Sequence, residues 1–478
     1  MEQNLKSKTL SGFLWSAIER FSLQSVQFVI NIIMARLLVP SDYGMIGMLA
    51  IFLQISQAFV DSGFTNALIQ RKDRTETDFS TVFYFNILIA LIFYGVLFIS
   101  APAIARFYDM PELINVTRII AFTLIINSLS AVHRTILIID VNFKTQSKIS
   151  LSAALISGCL GIWMAYTGWG VWGLVWQTIL NSILLTILFH YFVRWKPLLT
   201  FSVQSFKRLF SFGSKLLVSG MIHTIYKNLY TIVIGKRFSA VDLGYYTRAE
   251  QFAMFPSSNL NAIISRVIFP VLSTIQDDDD ELKTVYRKYI CLSSYIIFPL
   301  MVGLSALAKP TIELLLTEKW SGVVILLQIL CFDWMFDHLS MINLNLLYVK
   351  GRSDLALKLE IVKKTIATTI LFISIPFGLI GMCCGRVLYS LIATYLNSRY
   401  TKSLIGLSFY DQMKDIFPYI ILTFIMGISV YSISFFNLSN INHLIIGIII
   451  GIFLYMTMSS VLKLDSYKIL FQLIKNKK

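Results

Sequence analysis

The chain has 478 residues, of which 56% are hydrophobic and only 14% are charged, and its formal net charge is +15. The charged share is about half that of an average soluble domain, which excludes an ordinary soluble enzyme. The positive charge could suit a nucleic-acid-binding protein, but apolar blocks of about 20 residues recur from Leu10 to Leu462, as membrane-spanning helices require. The composition therefore predicts an all-α polytopic membrane protein.

Fourteen apolar segments are expected to cross the membrane, and the loops between them are too short to form a separate soluble domain. Arginines fall inside the fourth and eighth segments, and without these two the count would be twelve. The predicted spans cover residues 13–34, 43–62, 80–101, 114–139, 149–166, 170–192, 210–235, 245–272, 288–308, 322–347, 359–376, 381–398, 416–436 and 442–462.

Basic residues alternate between the two sides of the membrane under this segmentation. When basic residues near a span end are counted with the adjoining loop, one side carries 27 Lys and Arg residues and the other carries 6, while 8 lie deeper within the spans. Because cytoplasmic loops hold the excess of basic residues in membrane proteins, the sequence predicts that both termini are cytoplasmic.

An internal repeat relates the two halves of the chain. The motif ARLLVPSDYG contains Asp42 and Gly44, and KRFSAVDLG contains Asp242 and Gly244, exactly 200 positions later. Six predicted helices separate the motifs, so the halves share one orientation, as in parallel-repeat transporters with alternating access.

The repeat predicts an N-terminal lobe of six helices in residues 1–193 and a C-terminal lobe of six in 210–400. A cytoplasmic connector, 194–209, would join them, and the last two helices and a basic cytoplasmic tail would occupy 401–478.

Polar side chains lie along single faces of several predicted helices. Ionisable groups in the hydrocarbon core are costly unless they face protein or water, which favours a hydrated cavity. Polar helix packing and snorkelling to the interface remain the alternative. Basic residues outnumber acidic ones within the spans, so the cavity should suit an anion such as a phosphate or pyrophosphate. The predicted substrate-binding residues are Arg20, Gln24, Gln27, Asn31, Gln54, Gln57, Arg134, His223, Lys227, Arg248, Asn259, Arg266 and Arg386.

Acidic residues within the spans suggest an ion-coupling site. Asp333 and Asp337 are one turn apart on one face of the tenth predicted helix, and Asp61 lies at the end of the second. Two neighbouring carboxylates in a low dielectric resist simultaneous ionisation, which favours binding of a proton or sodium ion. The alternative is that they pair with a cavity arginine or lie near the outer interface.

Motifs of soluble enzymes are absent from the sequence. It contains no Walker loop, no G-x-G-x-x-G after a strand, no H-E-x-x-H and no nucleophile elbow. Its few histidines are scattered, so no metal site is predicted. We expect neither ATP hydrolysis nor a bound cofactor.

The first two predicted helices resemble those of a known transporter family. The stretch Ala35-Arg-Leu-Leu-Val-Pro-Ser-Asp-Tyr-Gly44, with the following Phe59-Val-Asp-Ser-Gly-Phe64 and Ala67-Leu-Ile-Gln-Arg-Lys-Asp73, is similar to colanic-acid and teichuronic-acid exporters. The chain resembles, over nearly its whole length, the Wzx-type polysaccharide repeat-unit flippases. These belong to the multidrug/oligosaccharidyl-lipid/polysaccharide (MOP) exporter superfamily.

This resemblance implies a V-shaped pair of six-helix lobes with two additional C-terminal helices. It implies a secondary transporter rather than an enzyme, which moves an undecaprenyl-pyrophosphate-linked oligosaccharide to the outer leaflet of the bacterial inner membrane. The product would enter O-antigen (lipopolysaccharide), capsule or exopolysaccharide synthesis, with a polysaccharide polymerase and chain-length machinery as partners beside the membrane lipid. Cationic cavity residues would hold the pyrophosphate, and nucleic acid would not be a partner.

Three other functions remain open at this point. A drug/cation antiporter of the same superfamily would prefer a cavity rich in carboxylates, which the excess of basic residues opposes. A lipid II flippase shares the fourteen-helix architecture. A membrane glycosyltransferase or polysaccharide polymerase usually has a large outer loop, whereas the outer connectors here are short.

Overall fold

The computed structural model describes residues 21–61, 63–436 and 438–475, with the side chains of 263, 265–267, 471 and 473–475 excepted. The described residues contain α-helices and short 3₁₀ turns, and no β-strand occurs among them. The α-helices are α1 Phe21–Leu37, α2 Pro40–Asp61, α3 Phe64–Gln70, α4 Glu76–Tyr108, α5 Leu113–Ile120, α6 Thr123–Ile139, α7 Phe143–Tyr166, α8 Val171–Val193, α9 Val203–Lys227, α10 Leu229–Arg237, α11 Ala240–Thr274, α12 Asp279–Ala306, α13 Ala308–Leu316, α14 Gly322–Met335, α15 Asp337–Val349, α16 Ser353–Ser374, α17 Gly378–Ser398, α18 Thr401–Ile405, α19 Phe409–Ser432, α20 Asn440–Val461 and α21 Asp465–Lys475.

The predicted class, an all-α polytopic membrane protein, is confirmed. Within the described ranges, 10 helical stretches are long and apolar enough to cross a membrane. One of them, Ser353–Ile405, contains both α16 and α17. The seventh and eighth predicted spans correspond to α9 with α10 and to α11, which are too polar to be among the ten. The count of fourteen therefore stays a prediction.

The fourth predicted span is interrupted between α5 and α6, and two others, the seventh and the tenth, are interrupted as well. The seventh breaks at Asn228, between α9 and α10, and the tenth breaks at Phe336, between α14 and α15. Neither break is marked by a proline or glycine at the interrupting position. Discontinuous helices of this kind are tolerated in membranes where protein or water satisfies the freed backbone groups.

The chain divides into two compact units, Met1–Gly244 and Tyr245–Lys478. In the first unit, α9 packs against α2, α3 and α4, and α7 packs along α8. In the second, α12 packs against α14 and α19, and α16 packs along α17. The lobe limits at 194–209 came from the repeat in the sequence rather than from contacts, and they stay a prediction.

The segment that follows α8 is fixed to the start of α4 by hydrogen bonds. The Trp195 indole Nε1 donates to Glu76 Oε2 at 2.7 Å, and the Leu198 amide donates to Ser80 Oγ at 2.9 Å. Phe64, Phe79 and other apolar side chains of α3, α4, α6 and α9 form the hydrophobic cluster beside it. The connector is therefore part of the folded first unit.

Asp78 joins α4 to α9 at this end of the first unit. Its side chain is fully buried and accepts two hydrogen bonds from Arg208 Nη2, at 2.7 and 2.8 Å. It also completes a capping box with Thr75, because it accepts from the Thr75 amide at 2.9 Å while Thr75 Oγ1 accepts from the Asp78 amide. One carboxylate thus both caps a helix and binds a second helix.

Replacing Asp78 with Ala is expected to lower the free energy of unfolding by about 2 kcal/mol, because the cap and a charge-assisted contact are both lost. The matched control is Asp73→Ala. Asp73 is 3.6 Å from the same arginine, but its side chain is 64% exposed, so its loss should cost less than about 0.5 kcal/mol. Thermal unfolding of the two purified variants checks this, and equal losses would contradict the assigned role of Asp78.

The two motifs of the internal repeat contact each other reciprocally where α2 and α11 begin. A Cβ atom on Gly44 would lie 1.8 Å from the Ala240 carbonyl oxygen, and one on Gly244 would lie 2.0 Å from the Pro40 carbonyl oxygen. The four residues are related in pairs by the 200-residue offset. The main chains of the two helices therefore approach so closely that only glycine fits at either position.

The aspartates of both motifs cap the same two helices. Asp42 Oδ2 accepts from the Val39 amide at 3.1 Å, and Asp242 Oδ2 accepts from the Ser239 amide at the same distance. Ser239 Oγ also donates to Asp242. Negative charge near a helix N-terminus is favourable, so the repeated aspartate has a structural role in both places.

Candidate functional site

Two of the predicted site residues have no described position. Arg20 lies outside the described residues, and so does the side chain of Arg266. The other predicted residues divide between the two compact units, each of which is considered by itself.

In the first unit, α2 carries a polar stripe on one face. Gln54, Gln57 and Asp61 follow a spacing of three and four residues, which places them on the same side of a helix. Gln57 Nε2 donates to Asp61 Oδ1 at 3.1 Å, and Gln54 Oε1 accepts from Asn228 Nδ2 at 3.0 Å. Asn228 also donates to the Thr224 carbonyl at 2.8 Å. The break in the seventh predicted span is thus bonded directly to the stripe of α2.

Two cationic side chains lie on helices that contact α2. Arg134 on α6 and Lys227 at the end of α9 are both exposed, and neither forms a salt bridge in the part of the chain that the structure describes. Arg134 is close enough to interact electrostatically with Asp61. His223, also exposed, precedes Lys227 by one turn. Accessible cations without a bound carboxylate are suited to hold an anionic ligand.

The predicted stripe of the first helix is partly accessible. Gln27 is exposed, whereas Gln24 and Asn31 are half-buried. The Gln24 side-chain oxygen is buried and accepts no hydrogen bond from any described residue. These amides provide polar groups of the kind that bind sugar hydroxyls.

In the second unit, Arg386 forms ion pairs with two carboxylates. Its Nη2 lies 2.5 Å from Asp333 Oδ2, and its Nη1 donates to Glu250 and, at 2.6 Å, to the Tyr246 hydroxyl. The exposed fractions of the three charged side chains are only 16% for Arg386, 25% for Glu250 and 11% for Asp333. The guanidinium charge is therefore compensated within the protein, in contrast to Arg134 and Lys227.

Asp333 and Asp337 have different partners. The sequence places them on one helix face, but the break at Phe336 separates them into α14 and α15. Asp333 pairs with Arg386, which is the alternative left open by the sequence, whereas Asp337 Oδ2 accepts from Asn261 Nδ2 at 2.7 Å. The two carboxylates therefore do not form a simple pair.

Two further predicted residues of α11 have local hydrogen bonds. Arg248 is buried and donates to Gln251 Oε1 at 2.5 Å. Asn259 is half-buried and donates to the Phe255 carbonyl at 2.8 Å. Both bonds run along the helix itself, so they give no indication of a ligand.

Sequence reasoning did not select four residues that complete these clusters: Asn228, Tyr246, Glu250 and Asn261. Tyr246 and Glu250 are one turn apart on α11, a spacing that would have indicated a shared face. Their partner Arg386 is more than 130 residues away in sequence, and no local pattern indicates such a pairing.

Comparison with known proteins gives a family and several relatives. A family model described as "Polysaccharide biosynthesis protein" matches residues 33–325. The lipopolysaccharide biosynthesis protein WzxC of Escherichia coli (strain K12) is 27% identical over 401 residues, which cover 82% of this chain and 81% of that protein. The teichuronic acid biosynthesis protein TuaB of Bacillus subtilis (strain 168) is 28% identical over 357 residues, 74% of each chain.

The fold is similar to that of a solved flippase. The structure of the lipid II flippase MurJ in an inward closed conformation superposes with a TM-score of 0.74, covering 95% of this chain and 99% of that one. The sequence identity in this superposition is 16%, so the likeness concerns the fold.

Proposed function

Because the chain belongs to the polysaccharide biosynthesis protein family, we propose that it flips a lipid-linked oligosaccharide from the inner to the outer leaflet of the bacterial inner membrane. The family match and the named relatives confirm the resemblance predicted from the sequence, and they identify a transporter rather than an enzyme. The cargo class that this proposal assigns is an undecaprenyl-pyrophosphate-linked repeat unit of a surface polysaccharide.

The observation that carries the proposal is the pair of accessible cations beside the polar stripe of α2. Arg134 and Lys227 form no salt bridge with any described residue, so their charge is available to a pyrophosphate through charge-assisted hydrogen bonds. Gln54 and Gln57 lie on α2, which packs against the helices of both cations, and they would bind sugar hydroxyls. Arg20 is proposed as a third cation, from its place on the polar face of the first predicted helix. The lipid tail would stay in the bilayer.

Transport would proceed by alternating access of the cargo to these cations from the two sides of the membrane. A bound pyrophosphate would stabilise the conformation in which both cations contact it. Release of the cargo at the outer leaflet would remove this stabilisation. The membrane potential or cation exchange would return the empty protein to its first arrangement. We assign both termini to the cytoplasm from the distribution of basic residues, and we expect the exported unit to pass to a polysaccharide polymerase.

Replacing Arg134 and Lys227 together with Ala is expected to lower export of surface polysaccharide at least about tenfold, because two charge-assisted bonds to the cargo are lost. The measurement is the amount of surface polysaccharide in a deletion strain that carries each variant, normalised to the amount of transporter in the membrane. Arg134→Lys and Lys227→Arg keep the charge and should keep most of the export.

Lys196→Ala is the matched control, because Lys196 is an exposed lysine of the connector after α8. It should export normally. A double variant that is present at normal levels and exports normally would remove both cations from the mechanism.

Lipid II is the other cargo that the same cations could bind, since it also carries a polyprenyl pyrophosphate. Expression of this chain in a strain depleted of its own lipid II flippase distinguishes the two cargoes. Under the proposal the strain does not grow, whereas restored growth would assign lipid II to this transporter.

A further inference from the structure

The break at Phe336 gathers oxygen atoms from α11, α14 and α15. Ser257 Oγ donates to the Trp334 carbonyl at 2.9 Å, in the last turn of α14. Asn261, one turn further along α11, donates from Nδ2 to Asp337 Oδ2 at 2.7 Å and reaches Ser257 Oγ at 3.5 Å. A carboxylate, an amide, a hydroxyl and a carbonyl from an interrupted helix therefore meet at one point.

The Asn261 amide is only half satisfied. The residue is 4% exposed, and its Oδ1 accepts no hydrogen bond from any residue in the described ranges. A buried acceptor in this state is unfavourable, because it has lost its bonds to water without gaining a protein partner. Its Nδ2, with partial positive charge, points toward the oxygens of Asp337 and Ser257. Rotating the amide by half a turn would direct Oδ1 to these oxygens instead, and the site would then require a cation between them.

We propose that Asp337, Asn261, Ser257 and the Trp334 carbonyl form a sodium site, in which the Asn261 amide turns its oxygen inward when the ion binds. One carboxylate with neutral oxygens suits a monovalent cation, whereas calcium sites usually contain several carboxylates. Carbonyls freed by a helix break coordinate sodium or protons in other transporters. Binding would connect α11 with the first turn of α15.

The two cationic side chains near this site already form ion pairs with carboxylates other than Asp337. Arg386 pairs with Glu250 and Asp333, and Lys363 pairs with Glu360 at 2.5 Å. The Asp333 carboxylate is engaged by the guanidinium, which excludes it as a free ligand for the ion. Neither neighbouring cation therefore requires the carboxylate of Asp337.

His338, the next residue after Asp337, also has other partners. Its Nε2 is 2.9 Å from Ser294 Oγ, and its Nδ1 is 2.9 Å from the Met335 carbonyl. Both ring nitrogens are thus engaged away from the four proposed ligands. Asp337 is the titratable group that the site itself contains.

The test is the thermal unfolding of the purified full-length protein in sodium chloride and in choline chloride at equal ionic strength. Sodium is expected to raise the Tm of the wild type by about 3 °C, because it binds only the folded state. Asn261→Ala and Asp337→Asn should lose this response, with apparent sodium affinity reduced about tenfold or more. Ser258→Ala is the matched control, since the Ser258 hydroxyl bonds within its own helix to the Phe255 carbonyl.

A wild type whose Tm does not respond to sodium would overturn the site, and so would an unchanged response in Asn261→Ala. A Tm that responds to pH but not to sodium would also overturn it and would assign Asp337 to a proton. If Asp337→Asn does not fold, calorimetric titration of sodium into Asn261→Ala and Ser257→Ala tests the site instead. Both variants should bind sodium more weakly than the wild type, and unchanged binding would overturn the site.

Only the role of the ion in transport rests on the proposed export function. An Asn261→Ala variant that has lost sodium binding should export less polysaccharide. Normal export in that variant would show that the ion is not coupled to transport, without contradicting the sodium site itself. Failure of the export function itself would appear differently, as unaltered surface polysaccharide in the deletion strain with sodium binding intact.

Discussion

Arg386→Met is expected to remove most of the folded protein from the membrane. The substitution leaves Glu250 and Asp333 close together without a counter-ion, and breaking a buried ion pair in this way costs about 3–5 kcal/mol. Since the total stability of a folded protein is about 5–15 kcal/mol, the loss is a large part of it. The measurement is the Tm of the detergent-solubilised protein together with its amount in the membrane.

A triple variant separates this structural effect from a direct role of Arg386 in transport. Arg386→Met combined with Glu250→Gln and Asp333→Asn removes the uncompensated charges, so most of the stability should return. The matched control is Arg352→Met, because Arg352 pairs with Asp354 at an exposed position, where a salt bridge contributes less than about 1 kcal/mol. An Arg386→Met protein as stable as the wild type would contradict the assigned role.

Gly44→Ala and Gly244→Ala are each expected to destabilise the protein by about 3 kcal/mol or more and to abolish export. The added Cβ would overlap the main chain of the opposite motif, at 1.8 Å from Ala240 and 2.0 Å from Pro40, and a backbone cannot move aside as a flexible side chain can. The Tm of each variant and the surface polysaccharide of complemented cells check this prediction.

Gly95→Ala and Gly220→Ala are the matched controls for these two substitutions. Both glycines lie within helices, and nothing is within 4 Å of a Cβ built on either. Alanine is the better helix former, so each control should be as stable as the wild type or up to about 1 kcal/mol more stable. If Gly44→Ala and Gly95→Ala had the same Tm, the close crossing of the two motifs would be wrong.

The architecture was largely predictable because hydropathy and charge act over whole segments. The apolar blocks indicated an all-helical membrane protein, and the matched Asp42 and Asp242 indicated the repeat. That repeat has a physical basis which the sequence pattern only suggested: Gly44 and Gly244 are where two main chains cross. Such a motif can be recognised in the sequence because the close approach of the main chains requires glycine at single positions.

The candidate site was less predictable, because its contacts join residues distant in sequence. The periodicity placed Asp333 and Asp337 on one helix, whereas the break at Phe336 gives them different partners. The sequence does not distinguish the basic residues from one another. In the structure, two carboxylates compensate the charge of Arg386, whereas Arg134 forms no salt bridge with any described residue. Periodicity shows which face a residue occupies, but not which side chain of another helix meets it.

The most direct test of the proposed function is mass spectrometry of the polyprenyl-linked lipids in a deletion strain, together with its susceptibility to cationic drugs. If the chain exports such units, pyrophosphate-linked oligosaccharides accumulate while drug susceptibility stays unchanged, and the accumulated lipid would identify the sugars of the cargo. Normal lipids in a strain that has become more susceptible to the drugs would contradict the flippase function and would indicate a drug antiporter.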